Sequence, residues 1–126
     1  MIPVKDLVGV PYKDHGRGMG GMDCYGLAIE VLRRAGIILP DVIYPDTEIE
    51  TNKIVMQTLE NGIPNTKLDR PEEGAIVEIL VMGQPSHVGV CLGNGLFIHA
   101  LKKIGVVIEP LDRYRHKTKG FYRVNH

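Results

Sequence analysis

The chain is short of cysteine, of net charge and of long apolar runs, and each shortage removes a class of protein. Its 126 residues carry 15 basic and 15 acidic side chains, a formal net charge of zero with histidine neutral. Such a balance supplies no field to draw duplex nucleic acid or an anionic membrane surface, so neither is an expected partner. Two cysteines, Cys24 and Cys91, are too few for a disulfide framework and suit a chain made in a reducing compartment. Nor do they form a Cys-x-x-Cys pair. On one strand His87 and Cys91 would stand about 13 Å apart, too far to share a zinc ion bound at ~2.0–2.3 Å. No metal or cofactor is expected. The longest apolar stretch, Ala75 to Met82, is broken by Glu78 and falls far short of the ~18 residues of a spanning helix. Met1 to Asp6 lacks the charged start and apolar region of a signal peptide, so synthesis in the cytoplasm is expected. With no repeat, low-complexity tract or linker, residues 1–126 read as one domain.

What is present is an ordinary globular composition, 44% hydrophobic and 24% charged, so the chain can bury a core. Apolar residues at Cys24, Leu27, Ala28, Val31, Leu32 and Ala35 recur at the spacing of one helix face. Gly36 supplies the stop, with Pro40 beyond it. Thr47–Asn61 reads as a second helix. Strands are expected at Ala75–Met82, Ser86–Leu92, Leu96–Leu101, Val106–Glu109 and Gly120–Val124. Helices first and strands later imply an α+β domain, with N-terminal helices packed on a C-terminal antiparallel sheet.

Two features carry chemistry. Asp23-Cys24 opens the first helix, where the macrodipole and free amides of the first turn are expected to stabilise a thiolate. The second is a hairpin, His87 to His99. With Gly93-Asn94-Gly95 as the loop, Leu92 pairs with Leu96, and Val88, Val90, Leu92, Leu96, Ile98 and Ala100 form an apolar face. The opposite face then carries His87, Gly89, Cys91, Phe97, His99 and Leu101. His99 falls opposite Gly89 and diagonal to His87, close enough for one imidazole to fix the tautomer of the other. Cys24 fits a nucleophile and His87 its base; the competing readings are a buried core thiol and half-buried sheet histidines. Cys91 reads as a small core hydrophobe.

Gly20-Gly21-Met22-Asp23-Cys24-Tyr25-Gly26-Leu27 resembles the GGxDCSGL signature of the NlpC family of papain-like cell-wall peptidases. Ser86 to Gly95, followed by Phe97-Ile98-His99-Ala100, is similar to that family's SHVGIYLGNG…IHA segment, and Val10-Pro11-Tyr12 to its tyrosine-bearing strip. The resemblance runs from about Leu7 to Leu111. It implies a papain-like fold with Cys24 as nucleophile, His87 as general base and His99 orienting it. Tyr12 and Asp23 are assigned to the oxyanion or the substrate, with a packed core tyrosine the equal alternative at Tyr12. Peptidoglycan stem peptides are the implied substrate and partner, cut between D-glutamate and a diamino acid at the cell wall. Tyr25 stands where serine is usual, a change that looks like phage tail-assembly variants, so phage tail proteins are further expected partners. A non-catalytic wall- or tail-binding module and a thiol acyltransferase are the alternatives on the same scaffold.

Overall fold

A computed structural model of the chain describes residues 1–42, 62–81 and 84–125. The helix expected at Thr47–Asn61 lies outside the described residues. A 3₁₀ turn, Lys5–Leu7, precedes a small hairpin of β1 (Arg17–Gly18) and β2 (Gly21–Met22), and then helix α1 (Cys24–Arg34). Six more strands follow: β3 (Asn65–Leu68), β4 (Ile76–Val81), β5 (Gln84–Gly93), β6 (Leu96–Leu101), β7 (Gly105–Pro110) and β8 (Thr118–Val124). They form one antiparallel sheet in the order β3-β8-β4-β5-β6-β7. A second 3₁₀ segment, Leu111–Lys117, joins β7 to β8.

Most of the expected apolar stripe of α1 packs: Leu27, Ala28, Val31 and Leu32 are buried with Val88, Val90, Ile98, Ala100 and Val106 of the sheet, while Ala35, the C-cap, is exposed. Side chains of three or more carbons buried in this way each contribute about 1.5–3 kcal/mol. At the helix end Gly36 takes φ +81°, Gly36 N–H donates to Arg33 O at 3.0 Å and Ile37 N–H to Leu32 O at 2.9 Å. Those paired bonds are a Schellman stop, which needs the left-handed residue that glycine supplies. The other sheet face is covered too. Ala75, Val77, Ile79, Cys91 and Phe97 pack there under Leu68, Leu111, Tyr114 and Phe121.

The hairpin keeps its expected register at Val90 opposite Ile98 and Cys91 opposite Phe97. Its tip differs. Gly93, not Leu92, pairs with Leu96, and a bulge between Cys91 and Gly93 absorbs the extra residue. The loop is therefore Asn94-Gly95, both with positive φ (55° and 77°), as two-residue hairpin turns require. The three-residue loop expected at Gly93-Asn94-Gly95 holds only for a ladder without bulges. Val88, Val90, Ile98 and Ala100 face α1, while Cys91 and Phe97 face the second cluster.

Candidate active site

The site begins at the helix start. Asp23 is the N-cap: its Oδ1 accepts the Gly26 N–H at 2.7 Å, satisfying one of the amides a helix leaves unpaired. Oδ1 also takes Arg17 at 2.8 Å, and Oδ2 accepts the His15 N–H at 3.1 Å. Asp23 is 5% exposed, with both carboxylate oxygens engaged by the protein. A carboxylate cannot stabilise an oxyanion, and through these bonds Asp23 fixes where Cys24 stands. Gly26 belongs to the same construction. A Cβ there would meet Gly16 O at 2.2 Å, so the glycine lets the preceding loop lie directly on the first helical turn.

Cys24 heads α1 with part of its surface open. Its thiol feels the Val88 backbone amide of the sheet, which pulls its pKa down. The reason is in the ladder. Cys91 N–H donates to Ala75 O on the β4 side, so by alternation Val88 N–H is directed toward β6. The pairing of β5 with β6 ends at Val90–Ile98, which frees that amide for the sulfur. Val88 is the residue after His87, so the thiol and the imidazole are delivered to one stretch of β5.

Burial opposes the expected thiolate stabilisation. Desolvation pushes the Cys24 thiol up to about 11, and the Asp23 carboxylate pushes the same way, outweighing the amides of Val88, Tyr25 and Cys24. Burial also drives His87 down to about 3, with neighbouring His99 adding to the effect and Glu109 opposing it. Both shifts favour the neutral thiol and the neutral imidazole, which suits proton transfer during attack.

His87 Nε2 lies 2.8 Å from His99 Nδ1, and His99 Nε2 lies 2.7 Å from Glu109 Oε1. His99 is fully buried, its ring 4.2 Å from Phe97 and 5.4 Å from Tyr114, centroid to centroid. Burial holds its pKa below the usual value against the pull of Glu109. Glu109 also accepts from Tyr114 Oη at 2.8 Å and from Arg113. These donors keep its carboxyl below the usual range although burial opposes them.

The sequence reading gave Glu109 no role. Its signal was present: β6 and β7 pair His99 with Val107 and Phe97 with Glu109, so alternation sets Glu109 on the histidine face, diagonal to His99. Carrying the register one strand further would have found it. Tyr12 is held beside the helix start by its bridge to Met22, and its ring packs partly buried against the core. Cys91 is 1% exposed in the second cluster, with its thiol raised to about 12 chiefly by burial. Tyr25 is buried and donates from Oη to Pro40 O at 2.6 Å. Among the described residues no group of three His, Cys, Asp or Glu side chains could hold a metal ion, and no helix is long and apolar enough to cross a membrane.

A helix opening on cysteine and packed against an antiparallel sheet that bears the histidine pair is the papain-like α+β arrangement. The chain belongs to the NlpC/P60 family, which it matches over residues 9–123. No curated protein matches it. Among solved structures it is similar to an NlpC/P60 family protein from Bacillus cereus ATCC 10987, at 21% identity and a TM-score of 0.65, over 94% of this chain and 36% of that one. It is also similar to NlpC2 from Trichomonas vaginalis, at 21% identity and a TM-score of 0.67, over 96% of this chain and 44% of the other. The NlpC/p60 domain of the peptidoglycan hydrolase SagA matches at 21% identity and a TM-score of 0.62, over 95% of this chain and 90% of that domain. The chain therefore spans about a third of the Bacillus cereus protein and nearly all of the SagA domain.

Proposed function

We propose that this protein is a cysteine peptidase that hydrolyses amide bonds in the stem peptides of bacterial peptidoglycan. The observation that carries the reading is the His87–His99 hydrogen bond at 2.8 Å on the strand whose Val88 amide contacts the Cys24 thiol. Family membership and the SagA domain, a piece of a peptidoglycan hydrolase, support the substrate class.

In the proposed reaction His87 takes the Cys24 proton as sulfur attacks the scissile carbonyl carbon. The developing oxyanion draws on the amide of Cys24 at the helix start, with Tyr12 beside it. The C–N bond breaks as His87 returns the proton to the leaving amine. Water, deprotonated by His87, then hydrolyses the thioester and restores the thiol. No group beyond the protein and water enters this balance.

The narrower parts of the proposal are cleavage between D-glutamate and a diamino acid, one peptidase domain over residues 1–126, cytoplasmic synthesis and action at the cell wall. A place in a phage tail rests on Tyr25 standing in the serine position. Incubation with purified muropeptides of defined stems, with fragments identified by mass spectrometry, tests the activity and its bond together.

A further inference from the structure

We propose that Glu109 is a positioning residue of this site: through His99 its carboxylate fixes the direction of the hydrogen-bond chain, so that the bare ring nitrogen of His87 is Nδ1, the one left for the Cys24 proton. The inference rests on the reading of Cys24 and His87 as nucleophile and base, and adds a fourth member that acts through His99.

The direction follows from donor and acceptor bookkeeping. An ionised carboxylate only accepts, so His99 must place its proton on Nε2, 2.7 Å from Glu109 Oε1. In a neutral ring the other nitrogen is then bare. His99 Nδ1 therefore accepts, and the proton of the 2.8 Å bond must sit on His87 Nε2. His87, neutral in turn, is left with an unprotonated Nδ1, which is what a general base needs. The reverse order would set a bare His99 Nε2 against an anionic oxygen with no proton between them. A doubly protonated His99 would satisfy both neighbours but would force His87 to carry its proton on Nδ1. Burial of His99 disfavours that charge.

Glu109 is itself held in place. Tyr114 Oη donates to Oε1 and Arg113 to Oε2, both from the 3₁₀ segment after β7. The groups bonded into the chain are thus His87 from β5, His99 from β6, Glu109 from β7, and Arg113 and Tyr114 from the 3₁₀ segment. When His87 takes the thiol proton it becomes a buried cation, and Glu109 is the carboxylate bonded into its chain. Glu109 does two things: it orders the tautomers at rest and supplies counter-charge during attack.

The test compares wild type with Glu109→Gln and Glu109→Ala. Ring-nitrogen NMR of isotope-labelled protein reads the histidine tautomers, and the pH profile of Cys24 alkylation by iodoacetamide reads the base. Neither readout needs a peptidoglycan substrate. In wild type, His87 and His99 should both be Nε2–H tautomers near neutral pH. Glu109→Ala should give His87 a tautomer mixture and slow Cys24 alkylation by about tenfold or more. Glu109→Gln keeps an acceptor oxygen without the charge, so it should recover part of that loss. An Nδ1–H tautomer of His87 in wild type would overturn the proposal, whatever the variants do. So would a folded Glu109→Ala protein with wild-type tautomers and alkylation profile. Should Glu109→Ala not fold, the wild-type tautomers and the Glu109→Gln profile decide the matter. Wild-type protein that shows the expected tautomers yet cleaves no stem peptide would overturn the substrate reading and leave the role of Glu109 standing.

Discussion

His87 Nε2 and His99 Nδ1 are 2.8 Å apart, joined across two neighbouring strands into one hydrogen-bonded unit. Groups that act as a unit lose function together. Cys24→Ala and His87→Ala should each lower kcat by at least about 1,000-fold, with little further loss in the double variant. His99→Ala should cost less, about tenfold to a hundredfold, because His99 carries no proton in the chemical step. His99→Asn should retain more activity than His99→Ala, since an amide oxygen can still accept from the His87 ring. Steady-state kinetics on a cleavable stem peptide measure all of these variants. Independent, multiplicative losses in the double variant would break the unit apart.

Two glycines sit where the chain packs too closely for a side chain. A Cβ at Gly89 would stand 2.8 Å from Ile98 O and 3.1 Å from His99 Cβ, so Gly89→Ala must push β5 and β6 apart beside the imidazoles. At Gly26 the obstacle is Gly16 O, 2.2 Å away. Alanine in a helix gains ~1 kcal/mol over glycine, but overpacking of this kind costs about 1–3 kcal/mol, so the clash wins. Urea unfolding should show both variants destabilised, and Gly89→Ala should lose activity beyond its loss of stability. A stabilised Gly26→Ala protein would mean the loop does not rest on the helix.

Acid should unfold the protein partly through its histidines. His87 titrates near 3 in the folded state, against 6.5 for an unperturbed ring. Between those values the unfolded chain binds the extra proton, so stability is present above about 6.5 and is lost as pH falls toward 3. His99 shifts in the same direction. At the other end Cys24, raised from 9.0 to about 11, makes stability fall as pH rises through that interval. Thermal melts across pH should show a dome, and His87→Ala should flatten its acid side. An acid limb equally steep in that variant would assign the loss to other groups.

Cys24 and Cys91 should differ sharply toward alkylating reagents. Both thiols are raised by burial, but Cys24 keeps open surface and a base on the adjoining strand, whereas Cys91 is sealed in the second cluster. Peptide mass spectrometry of iodoacetamide adducts near neutral pH should show Cys24 modified at least about tenfold faster. Equal rates in folded protein would remove the distinction on which the nucleophile assignment depends.

Much of this arrangement was legible in the residues because it depends on local rules. The period of α1, its glycine stop and the two faces of the hairpin all follow from alternation and capping, and the His87–His99 pairing follows from the register. What escaped depends on tertiary context. β3 is Asn-Thr-Lys-Leu, an edge strand with no apolar alternation to announce it. The Leu92 bulge is invisible to a count that assumes a regular ladder. Tyr25 lies off the counted helix stripe yet is buried in the core, with its hydroxyl donating to Pro40 O. Burial of the Cys24 thiol is likewise tertiary, whereas the helix start that favours a thiolate is local. Glu109 becomes part of the site only when a third strand is paired.

Digestion of purified muropeptides by wild type and Cys24→Ala, followed by mass spectrometry, tests the central claim most directly. The account predicts that wild type releases stem fragments cut between D-glutamate and the diamino acid. Cys24→Ala should release none while still binding the stem, since loss of one sulfur hardly alters the cleft. Cleavage by Cys24→Ala at the wild-type rate would contradict the mechanism. Binding without cleavage by wild type across varied stems would make the protein a non-catalytic module on a peptidase fold.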